Sequence, residues 1–239
     1  MNEVDSNKED EKIYLNPKFQ LFTTYIWFFL GAIIVIFIFI IISGFNISMV
    51  MSTIQNNPHL YIFIEFSSVG LLPIIYVLVS KERISKYGIN AENWVKSISI
   101  SFLMVLTYFL LGYLINGKIM TYEEYDFNLE LPWNLFFGIG GIIIWGPLEA
   151  FFFIWLIEKT NDAFFSDEKK LIVSALITSL IFGVLLHLIT TSLYNAIYTG
   201  IIFLLLSLIY VYTKNSIGPI VAWSLLNGQV WFIGQMILV

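Results

Sequence analysis

Trp133–Ile157, WNLFFGIGGIIIWGPLEAFFFIWLI, is an apolar run in which Glu149 is the only ionisable side chain. About 20 apolar residues suffice to cross the hydrocarbon of a bilayer, so the run reads as a transmembrane helix. A lone carboxylate in such a helix costs about 3 kcal/mol on insertion scales and therefore faces the interior of a bundle. Six further runs of this kind follow from the same reading: Leu21–Ile42, Leu60–Val79, Ile98–Leu114, Leu171–Thr190, Ser192–Tyr212 and Pro219–Val239. The chain is 58% hydrophobic and 12% charged, about half the charged share of a soluble domain. The expected fold is an all-α polytopic membrane helix bundle with about seven transmembrane helices.

The rest of the composition narrows the chemistry. There are no cysteines, which excludes disulfides, thiol nucleophiles and thiolate metal sites. Residues 1–20 hold five acids and three lysines and read as a disordered acidic cytoplasmic tail. They lack the basic start of a cleavable signal, so Leu21–Ile42 reads as a retained first helix. Residues 21–239 read as one membrane domain. Eleven of the twelve Lys and Arg residues fall on the amino-terminal side of the spans, against Lys118 alone on the other. That asymmetry predicts a cytoplasmic amino terminus and, with seven spans, an external carboxyl terminus. The loop Gly117–Pro132, with Glu123, Glu124, Asp126 and Glu130, is then external.

Isolated polar groups in the apolar runs are the candidate site. Glu149 follows Gly146-Pro147, and a proline inside a helix frees backbone carbonyls near the carboxylate. A packing role, with a neutral Glu149 bonded to those carbonyls, is the bland alternative. His187 lies one turn after Gly183, where a second helix can come close. Asn227 lies one turn after Trp223, so both face the same way. Glu65, two turns before Pro73, extends a polar cavity or pairs with Ser67, Ser68 or another helix. His59, beside Asn56-Asn57-Pro58, reads as solvated.

Several hydrolytic designs are absent from the sequence. There is no H-E-x-x-H, two histidines cannot make a three-histidine zinc site, and every aspartate lies in a loop or tail. No G-x-S-x-G supports a serine nucleophile. A carboxylate–imidazole pair activating water, with an amide for the developing oxyanion, remains. It calls for no metal and no cofactor.

These residues resemble the CAAX prenyl protease and bacteriocin-processing family of intramembrane endopeptidases, over about residues 80–239. The first family motif, E-E-x-x-x-R after a proline, corresponds to Pro147-Leu148-Glu149-Ala150-Phe151-Phe152-Phe153-Ile154. The second, a phenylalanine four residues before a histidine, corresponds to Phe182 and His187, with the phenylalanine one place early. The third, H-x-x-x-N, corresponds to Trp223-Ser224-Leu225-Leu226-Asn227 after the turn Asn215–Pro219. Lys81–Trp94 resembles the basic loop that precedes the family core. Ala150, Ile154 and Trp223 depart from the pattern, replacing the second glutamate, the arginine and the third-motif histidine. Ala150 and Ile154 are one turn apart, as expected if an ion pair is exchanged for apolar packing.

The resemblance implies that Glu149 and His187 activate water and that Asn227 keeps half of the oxyanion site. Trp223, Phe153 and Glu65 would then line the substrate cavity. The implied partners are membrane lipid and a peptide or membrane-protein substrate, prenylated or not, with no nucleic acid. Two other classes stay open. One is a pseudoprotease that binds such partners without cleaving them; the other is a small membrane carrier using Glu65 and Glu149. By helix rise, Glu149 and Asn227 each sit about 12 Å from the cytoplasmic end, while His187 sits about 24 Å from Leu171. This mismatch predicts that the fifth run begins below the membrane surface.

Overall fold

The computed structural model describes residues 13–117, 130–190, 192–227, 230 and 232–233. The tail through residue 12 and most of the loop Gly117–Pro132 lie outside the described residues. Among the described residues, eight helices follow in order: α1 Pro17–Ile42, α2 Ile47–Asn56, α3 Tyr61–Val79, α4 Trp94–Asn116, α5 Trp133–Phe164, α6 Glu168–Ile189, α7 Leu193–Thr213 and α8 Ile217–Leu226. Six of them are long and apolar enough to span a membrane, so the chain is a multi-pass integral membrane protein. The expected last span corresponds to α8, and most of the chain after it lies outside the described residues. α1 starts at Pro17, ahead of the apolar run, because the Asn16 side chain accepts the Lys18 N–H and Pro17 presets the first turn.

α5 is the centre of the bundle. Every residue from Ala150 to Ile157 is buried, as expected of a helix apolar on all sides and surrounded by others. α1 covers one side of it and turns Phe22, Ile33 and Phe37 outward. Small residues set the closest approaches. A Cβ on Gly183 of α6 would lie 2.9 Å from Gly200 Cα of α7, and one on Gly218 of α8 would lie 2.3 Å from the Ser97 carbonyl oxygen of α4. The helix approach expected beside His187 is therefore present, with α7 as the neighbour.

The carboxyl end of α5 runs to Phe164, beyond the apolar stretch, because its charged residues find partners there. Lys159, only 1% exposed along its side chain, donates to Glu82 Oε1 at 2.6 Å. Tyr87 Oη–H also donates to Glu82, Lys86 pairs with Asp162 at 2.8 Å, and Tyr210 Oη–H donates to Glu158. Asn215 then ties the α7–α8 turn to the loop before α4, donating to the Asn90 and Glu92 carbonyls at 2.9 and 2.8 Å. Lys81, Arg83, Lys86, Lys96, Lys159, Lys169, Lys170 and Lys214 thus gather at one end of the bundle, the basic end.

His59 corrects an expectation. It is buried, not solvated, with its ring stacked 4.7 Å from that of Trp133 at the start of α5. Burial lowers its pKa from the ordinary imidazole value.

Candidate active site: a tethered carboxylate and an aromatic-bound imidazole

Three helices contain a π-helical turn: Phe66–Gly70 in α3, Ile144–Leu148 in α5 and Ser179–Leu186 in α6. Each abuts one of the ionisable residues singled out in the apolar runs. Glu65 immediately precedes the first, Glu149 follows the second, and His187 follows the third. Such turns concentrate at functional sites. In α5 the cause is local: Pro147 lacks an N–H and its ring crowds the preceding turn, which the wider π geometry accommodates.

Glu149 is buried, and two N–H groups from α8 converge on one of its oxygens. Trp223 Nε1–H donates to Oε2 at 2.7 Å, and Asn227 Nδ2 approaches the same oxygen at 3.4 Å. Asn227 Nδ2 also donates to the Trp145 carbonyl at 2.5 Å, within the π turn. The Asn227 amide thus ties the end of α8 to the π turn, two residues before Pro147. The i,i+4 spacing of Trp223 and Asn227 aims both at one carboxylate. Close packing makes this possible, since a Cβ on Gly146 would collide with the Ser224 side chain at 2.1 Å.

His187 is held through its other neighbours. Its Nδ1 lies 2.8 Å from the Phe182 carbonyl oxygen, which can only accept, so Nδ1 carries the proton. In the neutral ring Nε2 then bears the lone pair. The bonded residues are five apart, the separation that a π turn brings together. The same turn accounts for the phenylalanine standing one place early. The Phe182 ring still meets the imidazole edge-to-face at 5.4 Å, because the extra residue is absorbed by the wider turn.

An aromatic cluster joins the two halves of the site. Phe203 of α7 lies 6.1 Å from the His187 ring, 4.6 Å from Trp223 and 4.5 Å from Phe153. His187 and Trp223 thus pack on the same side chain, and the mismatch in helix depth does not separate them. Phe153, one turn after Glu149, is buried against Phe182 and Phe203. Ala150 and Ile154 are buried in the apolar core, consistent with the loss of an ion pair in favour of packing. Glu65 lies on α3, whose first part, Tyr61–Glu65, also packs against the π turn of α5. The closest approach is at Gly70, where a Cβ would strike Leu148 at 2.3 Å. Among the described residues, no three His, Asp or Glu side chains form a metal-ligand group.

Phe203 and the Trp145 carbonyl were not singled out in the sequence. Phe203 carries no local signal, being one apolar residue among many on α7. Gly146-Pro147 does announce a distorted turn, but not that the Asn227 side chain bonds to it.

A polytopic helical membrane protein with a carboxylate on α5, an imidazole on α6 and an amide at the end of α8 is the class that fold and site define. Residues 131–228 match the model of a family described as type II CAAX prenyl endopeptidase Rce1-like. The matched stretch contains Glu149, Phe153, His187, Trp223 and Asn227, while Glu65 lies outside it. At the family level the class is that of a CAAX-type intramembrane protease. No curated protein and no solved structure matches the chain.

Proposed function

We propose that this protein is an intramembrane endopeptidase in which Glu149 and His187 activate a water that attacks a peptide carbonyl. The observation that carries the proposal is the tethering of Glu149 by Trp223 and Asn227, within the residues that match the protease family. A general base must be held within hydrogen-bond reach of the proton it removes. Two N–H groups on Oε2 fix the carboxylate's orientation, and the Nδ1–H bond of His187 presents Nε2 as the basic nitrogen. Phe153, Phe182 and Phe203 form apolar walls that exclude bulk water. The substrate is a membrane-protein or peptide segment, prenylated or unmodified, cleaved near the cytoplasmic side, with the basic end of the bundle facing the cytoplasm.

A pseudoprotease reading is favoured by one observation. Trp223 stands where the family pattern has histidine, and its only N–H is engaged by Glu149. One lost oxyanion donor costs about 10²–10³ in rate. The test is cleavage of farnesylated and unmodified peptides by purified protein in lipid, with Glu149→Ala and Trp223→His beside it. Cleavage abolished by Glu149→Ala supports the protease, and Trp223→His should speed it. Binding of the same peptides with no cleavage by any form overturns the protease in favour of the pseudoprotease.

A further inference from the structure

An apolar groove of about 550 Å³ runs between α4 and α7, apart from Glu149 and His187. Leu103, Met104 and Leu111 form one wall, Leu205 and Tyr212 the other, and Leu226 of α8 the floor. From Ile100 to Leu111 along α4 the lining covers about 16 Å. Half of a 30 Å hydrocarbon core is about 15 Å, so the groove matches one leaflet. Leu103, Leu111, Leu205 and Tyr212 are all exposed, and the groove opens sideways, toward lipid.

The end of the groove that lies at the basic end of the bundle carries a cation. Lys96, one turn before Ile100, places its Nζ 4.0 Å over the ring of Tyr212, itself a wall of the groove. A lysine over a tyrosine face is held in direction by the ring quadrupole. Among the described residues no carboxylate lies within ion-pair distance of Lys96. A seat one leaflet long, lined mainly by apolar side chains and cationic at the headgroup level is complementary to one kind of molecule. We propose that the α4–α7 groove binds the acyl chain of an anionic glycerophospholipid, with Lys96 attracted to the net negative charge of its headgroup. The chain rests on Leu226 of α8.

The test uses the full chain in bilayers of equal phosphatidylglycerol and phosphatidylcholine, extracted gently and weighed intact with its retained lipids by native mass spectrometry. Retained phosphatidylglycerol should exceed phosphatidylcholine about fivefold, the effect of one lysine on an anionic headgroup. Lys96→Gln should bring the ratio to about one while leaving phosphatidylcholine retention unchanged. Leu205→Trp, or Leu103→Trp on the opposite wall if the first fails to fold, should remove both lipids by filling the groove. Equal retention of the two lipids by the wild type overturns the proposal. So does a preference that survives Lys96→Gln, or retention unaffected by a folded tryptophan variant. None of these readouts depends on peptide cleavage.

Discussion

Replacing Trp223 by phenylalanine isolates one bond of the candidate site. The ring contact with Phe203, at 4.6 Å, survives, while the indole N–H that lies 2.7 Å from Glu149 Oε2 is lost. A buried polar group deprived of a partner costs about 1–3 kcal/mol. Asn227 Nδ2 already lies 3.4 Å from the same oxygen and can close part of the gap, so about 1–2 kcal/mol is expected. For a chain of this size, 1 kcal/mol shifts a melting temperature by about 2–4 °C, which gives a fall of about 2–8 °C. Circular dichroism in detergent reads it directly. The decisive comparison is the double-mutant cycle with Glu149→Leu. If the bond is real, Trp223→Phe should cost at least about 1 kcal/mol less in the Glu149→Leu background than in the wild type. A single variant that melts like the wild type, together with additive effects, would refute the tether.

The basic end supplies further outcomes measurable by the same melts. Lys159→Met leaves Glu82 with Tyr87 and Lys86 but without its 2.6 Å partner and should cost about 1–3 kcal/mol, whereas Lys159→Met with Glu82→Leu should recover most of it; a double variant no better than the single would show that the pair is not coupled. Burial raises the Glu82 pKa, but the hydrogen bonds and charges of Lys159, Tyr87 and Lys86 outweigh it and hold the group below the ordinary glutamate range. Its contribution is therefore complete above about pH 4.3 and lost as pH falls through the lowered value, so Glu82→Gln should flatten the acid limb of stability. Burial lowers the Lys86 pKa, but Asp162, Glu82 and Glu158 more than offset this and raise it. The Lys86 contribution is complete below about pH 10.4 and lost as pH rises through the raised value, so Lys86→Gln should flatten the alkaline limb instead. Gly218→Ala puts a methyl 2.3 Å from the Ser97 carbonyl oxygen. Overpacking against backbone should cost about 1–3 kcal/mol or more, and an unchanged melt would mean that α4 and α8 are not in this contact.

Much of the bundle is legible residue by residue. The apolar runs locate the helices because hydrocarbon imposes a length and tolerates few charges. Pro147 marks the distorted turn before Glu149, and the spacing of Trp223 and Asn227 places them on one face. Gly183 marks the close approach of another helix. The exchange of Ala150 and Ile154 for a charged pair is readable as packing because the two positions share a face. Lys159 shows the opposite. Its place after an apolar run suggests a solvated lysine, and only the folding of the loop at Glu82 over it makes burial tolerable.

The sequence by itself therefore determined the class of fold, the approximate spans and the polar residues available to a site, since all three follow from local composition and helical periodicity. The tertiary structure decided what those residues do to one another. It assigned Asn227 to the Trp145 carbonyl, Trp223 to Glu149, and the proton of His187 to Nδ1. It turned a phenylalanine displaced by one residue into a contact by widening α6, and it made Phe203 the shared neighbour of His187 and Trp223. The physical reason is that helix periodicity sets which way a side chain points, while the partner it meets depends on crossing geometry between helices far apart in the chain.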